Sequence, residues 1–554
     1  MRKLLIIVLV ITVFISSCGY YGSGDLTGVT RKTWYTPDPF GMLFVPPGTY
    51  QMGPSDQDVP NAMTATSKTV TIQGFWMDET EITNAEYRQF VYWVRDSLAL
   101  TTLANDASMG NMDLEQTIGY TSDQFYIGIE EMEAKHGQEV VAFFEETVGF
   151  SFEQEENYHY LKWNAPLDYA DTKQKIYLVE NKIPNHLDAR KTEDPNQRKD
   201  MNQSLFTHAP GDAFHFYRTI DLNTDALFYE YWWVDLKQAA KKHTFREESR
   251  NKVDQDVVRT FDREQDHGLR IGRHFNPETG EYDGTVKDRE TLDKDKPWDN
   301  YSDREISTRY DYLMHEKVHI YPDTLCWMSD YTYSYNEPMT KMYFWHPAYD
   351  HYPVVGVNWK QANAFSVWRS NYKNSYQRDT RDYYLNEYRL PTESEWEYAA
   401  RGGLDLSMYP WGGLYSRNDI GCFIANFKPM RGNYSDDGGT QTLMVATYDP
   451  NEWGLYDMAG NVAEWTRNAF DEAAYSFTHD LNPDYQYYAH PDDPPALKRK
   501  VIRGGSWKDV AVYMQNGTRT FEYQDTAKSY IGFRNVRTYL GRSREEGTSY
   551  SQVY

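Results

Sequence analysis

The residues with the plainest chemical capacity are His315-Glu316-Lys317-Val318-His319, which fit the H-E-x-x-H spacing of a zinc protease. On a helix that spacing stacks two imidazoles one turn apart to bind Zn²⁺, and the glutamate between them activates a water. The surroundings argue against the helix. Val318 to Tyr321 is β-prone, Pro322 follows at once, and no third ligand is identifiable, so a strand or a helix end is expected. The other reactive groups are Cys18, Cys326 and Cys422. For the last two, a disulfide in an oxidising compartment and two free buried thiols both stand as readings. There is no Walker loop, Rossmann glycine fingerprint or G-x-S-x-G elbow, and so no phosphate-cradling or acyl-transfer site.

Cys18 has a chemistry of its own. Arg2 and Lys3 precede an apolar run, Leu4 to Ile15, that is too short to span a bilayer, and Ile15-Ser16-Ser17-Cys18 resembles a bacterial lipobox. Residues 1–17 are then a removed signal peptide and Cys18 the lipid-bearing first residue; an ordinary secretory signal with a chance cysteine is the bland alternative. Acyl chains on Cys18 would hold a soluble body on a membrane. Gly19 is not a retention aspartate, and Tyr20 to Gly24 lacks an acidic run. The expected address is therefore the periplasmic face of an outer membrane. The net charge of −25 over 554 residues repels nucleic acid and anionic head groups, so neither is an expected ligand.

Around these groups the chain alternates patterned and unpatterned stretches. Residues 18–41 are rich in Gly, Ser, Thr and Pro and read as a tether. Met42 to Gly53 reads as a strand, a Pro-Gly turn and a second strand, and Phe75 to Val91 passes from strand to helix. Thr83 and Glu86 have capping-box spacing ahead of Tyr87, Phe90, Val91 and Val94. The same pattern recurs in Asn358 and Gln361 before Ala362, Phe365 and Trp368, and in Thr392 and Glu395 before Trp396, Ala399 and Ala400, with Gly402 and Gly403 as the stop. Residues 101–345 differ: charge-dense tracts such as Lys241 to Asp266 suggest a large insertion with solvated helices and loops. Within it, Asp225 to Leu236 carries too much aromatic area to stay exposed. The 47 tyrosines suit either protein interfaces or the pinning of long loops.

The strings MLFVPPGTYQMG, MDETEITNAEY, PVVGVNWKQANAF, RLPTESEWEYAARGG, GLYDMAGNVAEW, RGGSW and GFR resemble the formylglycine-generating enzyme domain, or sulfatase-modifying factor domain, of the C-type-lectin-like superfamily. The resemblance covers about Met42 to Val94 and Tyr352 to Val536. It implies an α+β body with little regular secondary structure, divided into a first core part (42–100), the insertion (101–345), a second core part (346–540) and a tail (541–554). An active member places a copper(I)-binding cysteine pair shortly after its Gly-Gly-Ser-aromatic strand. Here Asp509 and Met514 stand at those offsets, and neither replaces a thiolate for a soft ion. No catalytic residue and no copper are therefore expected, and Ser506 is expected to be a strand-end hydrogen-bonding group. The family's calcium sites match Asn426, the backbone of Phe427 and Asp437 for one ion, and Asp457, Gly460, Val462 and Glu464 for a second. The alternative is that Asp457 and Glu464 cap turns or pair with arginines.

Gln51 to Ile72, Glu86 to Ser97 and Tyr321 to Phe365 resemble more narrowly the gliding-motility ring lipoproteins of the type IX secretion system of Bacteroidetes, the GldK/PorK family. That resemblance implies self-association into a periplasmic ring under the outer membrane, with a soluble GldN/PorN-like partner and other type IX secretion components. It leads the expectations for function, with the aromatic insertion as one assembly surface. An altered oxidase and a calcium-dependent lectin-like binder of glycan or peptidoglycan are the rivals.

Overall fold

The computed structural model describes residues 38–54, 67–108, 220–234, 313–332, 338–381, 385–429, 431–489 and 493–541, Leu167, and the short strand pairs 182–183 with 203–204, 206–208 with 220–222, and 275–276 with 281–282. Cys18, the signal peptide, most of the tether and nearly all of the C-terminal tail lie outside the described residues. The chain divides into a unit of Met1–Pro39 with Leu540–Tyr554 and a body, Phe40–Tyr539, which holds every element named below.

Two four-stranded sheets organise the body. The first takes β1 (Met42–Val45), β4 (Phe75–Asp78), β12 (Val536–Thr538) and β7 (Tyr388–Arg389) in the order β1-β4-β12-β7, all antiparallel. The second takes β10 (Thr520–Tyr523), β9 (Arg499–Arg503), β8 (Ala463–Ala469) and β11 (Ile531–Gly532) in the order β10-β9-β8-β11, closed by one parallel pair. The strands flanking the Pro-Gly turn do not pair with each other. β1 joins the first sheet, whereas β2 (Gly48–Met52) forms a separate hairpin with β3 (Lys68–Ile72).

The helices begin where the capping spacing predicts. The backbone N–H of Thr83 donates to Glu86 (2.8 Å) and α1 runs Asn84–Ser108; Gln361 N–H donates to Asn358 Oδ1 (2.9 Å) and α2 runs Trp359–Arg381. α3, Glu393–Arg401, carries the full Thr392/Glu395 capping box and ends on Gly402 at φ +58°, a left-handed position that glycine fills without strain. Tyr87, Phe90, Val91 and Val94 of α1 and Ala362, Phe365 and Trp368 of α2 are all buried in one cluster.

Part of the span read as an insertion belongs to that cluster. β5 (Phe228–Val234) and β6 (Leu313–His319) pair as an antiparallel ribbon, and its inward side chains Tyr229, Tyr231 and Val318 pack among α1 and α2. The Tyr229 ring meets Phe90 edge-on at 5.3 Å. The aromatic run is thus core, as its area required, while Trp232 stays 44% exposed. Farther on, Trp327 and Phe344 are also buried in the body. Among the described residues no helix is long and apolar enough to cross a membrane.

Candidate functional site

The H-E-x-x-H spacing falls on β6. In a strand, successive side chains alternate faces, so Glu316 lies opposite His319 rather than beside it. Glu316 is buried and accepts from the Tyr231 hydroxyl (2.6 Å), while His319 Nε2 lies 2.8 Å from the Thr224 carbonyl oxygen. On a strand the spacing does not give the one-turn stacking of imidazoles that the helical zinc site needs.

The missing-thiol positions follow β9. Gly504 and Gly505 have φ of +92° and +68°, and a Cβ on Gly504 would come within 3.1 Å of the Trp396 ring. These glycines let the chain turn back tightly beneath α3. Ser506 is fully buried, and its hydroxyl donates to Asp509 Oδ2 (2.6 Å), as expected of a strand-end group. Burial raises the Asp509 carboxyl above its ordinary range, with the Ser506 hydrogen bond opposing. Met514 is wholly buried in an apolar cluster with Met408, Tyr409, Ala425, Phe427 and Ala459. Of the two residues expected at thiol offsets, Asp509 is thus a hydrogen-bonded turn residue and Met514 a packing residue.

A feature the sequence reading missed covers the same region. The turn Thr324–Ser329 brings Trp327 onto Trp507, stacked with centroids 5.9 Å apart, and Asp330 takes both Lys508 and the Ser529 hydroxyl. The aromatic density of Tyr321 to Tyr335 was the available signal, but its target lies some 180 residues away in sequence. Cys326 and Cys422 are both free thiols. Burial pushes the Cys326 thiol well up, with Asp323 and Asp330 adding to it, while Cys422 is exposed.

The two candidate cation segments meet. Asn461 N–H donates to the Asn426 carbonyl oxygen (2.8 Å), and Asn426 Nδ2 donates to Asn461 Oδ1 (3.1 Å). Gly460 is at φ +82°, where a Cβ would collide with the Asn426 carbonyl, and its N–H donates to Gly504 (3.0 Å). At the first segment, Asp437 accepts from the backbone of Phe427 (2.7 Å) and Gly439 (3.3 Å), and the buried Asn426 Oδ1 has no hydrogen-bond partner. An orphaned amide oxygen near one carboxylate is the oxygen chemistry a hard cation takes.

The second segment is differently committed. Glu464 is buried and accepts from Arg534 Nη2 (2.6 Å), Arg534 Nε (2.8 Å) and Trp396 Nε1 (2.8 Å), the arginine pairing held open above. Asp457 accepts from Ala446 N–H (2.7 Å), and burial pushes its carboxyl up to about 6. Val462 N–H donates to Glu81 (3.1 Å), a buried carboxyl that Asp457 and Glu464 push further up after burial itself. Among the described residues no group of three or more His, Cys, Asp or Glu side chains is arranged to hold a metal ion.

The chain is similar to the inactive C-alpha-formylglycine-generating enzyme 2 of Bos taurus, 34% identical over 189 residues, which are 33% of this chain and 49% of that protein. It is likewise similar to the formylglycine-generating enzyme of Thermomonospora curvata, 34% identical over 187 residues, 33% of this chain and 54% of that protein. The chain spans about half the length of these curated relatives. Among solved structures, PvdO from Pseudomonas aeruginosa is 23% identical with a TM-score of 0.28, covering 34% of this chain and 63% of that one. The sulfatase-modifying factor enzyme 1-like domain family matches residues 32–150 and 308–539, and the chain, which keeps that frame on both sides of its intervening segment, belongs to this family.

Proposed function

We propose that the chain is a non-catalytic lipoprotein, anchored through Cys18 to the periplasmic face of an outer membrane, that assembles with copies of itself into a ring of the type IX secretion and gliding machinery. A soluble GldN/PorN-like protein is the proposed partner. The observation that carries the non-catalytic half is the fate of the thiol positions. Asp509 is consumed by Ser506 and Met514 by apolar packing, so the fold's frame stands without its soft-metal ligands. The inactive relative is consistent with such a loss. The assembly half rests on the lipobox-like residues and on the narrower sequence resemblance.

In this reading calcium, held at Asn426, Phe427 and Asp437, stiffens loops that have little regular structure of their own. The second segment would use the carbonyls of Gly460 and Val462 with Asp457, since Glu464 is taken by Arg534. Co-expression of the full chain with its periplasmic neighbours, followed by negative-stain imaging, tests the proposal. Rings containing both proteins are expected. A protein that stays monomeric beside those neighbours, or that binds copper(I) anaerobically and oxidises a cysteine peptide, overturns it.

A further inference from the structure

Lys500 lies on β9 at the seam between the body and the β5–β6 ribbon, and only 1% of it is exposed. Its ammonium donates to the Tyr487 carbonyl oxygen (2.6 Å), sits 3.8 Å from the Trp359 ring centroid and lies 5.4 Å from that of Tyr488. The ribbon closes over this group from the other side. Trp233 packs on Tyr488 with centroids 4.5 Å apart, and β6 contributes the buried Glu316, which is tied to Tyr231. Among the described residues no carboxylate is within ion-pairing distance of Lys500. The charged groups that face it are Glu316, Lys360, Asp525 and Asp484, and Lys360 and Asp525 pair with each other at 3.1 Å.

We propose that this seam is a proton-controlled latch, in which the ribbon's hold on the body is strongest when Lys500 is a neutral amine and weakens when it is an ammonium that gains water by the ribbon's opening. A buried ammonium without a carboxylate partner is costly, and opening the seam hydrates it. Burial brings the Lys500 amine down to about 7, with Glu316 opposing. Between pH 7 and the ordinary lysine range, the open state therefore holds the proton that the closed state lacks, so raising the pH in that window closes the latch. Glu316 acts in the opposite sense, because burial raises its carboxyl and opening releases its proton. Removing the Glu316 carboxyl separates the two contributions.

Amide hydrogen exchange of the full chain, corrected for intrinsic base catalysis, tests this on peptides covering β5 and β6 against peptides covering β8. From pH 7 to 9 ribbon protection should rise by up to about tenfold per pH unit, with no such slope in β8. Lys500→Met should abolish the slope and Glu316→Gln should retain it. A slope that persists in Lys500→Met, or one shared equally by β8, overturns the proposal. So does a lysine ¹⁵N titration of the wild-type protein that places the Lys500 midpoint near 10, a measurement that decides the matter even if the variant fails to fold.

Discussion

Arg503 is fully buried and serves two carboxylates and two loop carbonyls at once. Its Nη2 donates to Glu393 (2.7 Å) and Glu397 (2.8 Å), and its Nη1 donates to the carbonyls of Asn516 (3.0 Å) and Thr518 (2.8 Å). Arg401 and Arg519 complete the array, through Glu397 and Glu393 respectively. Such a network is weak evidence for net stability, but removing one member strands the others in low dielectric. Arg503→Met should therefore cost about 3–5 kcal/mol in urea unfolding, and adding Glu393→Gln should recover part of the loss. An additive double variant would show that the charges are hydrated in a way this packing excludes. Burial alone would raise the Glu393 carboxyl, yet Arg519 and Arg503 hold it below its ordinary range. Its contribution is then fully present above the unfolded value near 4.5 and is lost as the pH falls through the folded one. Glu393→Gln should flatten the acid limb of the stability curve without changing its slope at neutral pH.

Elements show which parts of the fold are local in origin. The three helix starts were legible because a capping box is written within four residues, and the apolar stripe that follows fixes the buried face. Strand pairing was not, since β1 and β2 are separated by two residues but join different partners, which come from Phe75–Asp78 and Lys68–Ile72. The same holds at the candidate site. The absence of cysteine from Lys508 to Asn516 was plain from residue types, whereas the capture of Glu464 by Arg534 and of Lys508 by Asp330 depends on contacts 70 and 178 positions apart. Gly460 illustrates a residue whose role is wholly geometric, holding one candidate loop against the Asn426 carbonyl of the other. Gly460→Ala adds both left-handed strain and a backbone collision, so a loss of about 1–3 kcal/mol is expected for the strain, with more for the collision. A thermal melt unchanged within error would mean that the two loops are not tied in solution. The ribbon makes a different prediction. Val234 and Leu313 are register partners, so the chain leaves and returns at adjacent points. Replacing residues 235–312 with Asn-Gly, the turn that two antiparallel strands accept most readily, should leave the body's melting temperature within a few degrees. If the intervening segment carries the assembly surface, the same variant should fail to form rings with the partner. Loss of the folded body would instead show that the segment is part of the core.

At the scale of the whole molecule, charge sets the conditions under which copies can meet. The chain carries a formal charge of −25, and bringing copies together opposes like fields that reach only about 10 Å at 0.1 M salt but about 30 Å at 0.01 M. Self-association that depends on apolar and polar contact must therefore strengthen as salt screens this repulsion. A partner selected by charge complementarity would be basic and would behave oppositely, since screening weakens attraction as well. Sedimentation of the purified full chain in detergent, alone and with the proposed partner, separates the two between about 20 and about 300 mM salt. The proposed ring predicts that homo-oligomers grow with ionic strength while partner affinity falls, so mixed rings are best populated at an intermediate value. A homo-oligomer that dissolves as salt is added would mean that copies meet through opposite-sign surfaces, and the acidic balance of the chain would then have no part in limiting its assembly.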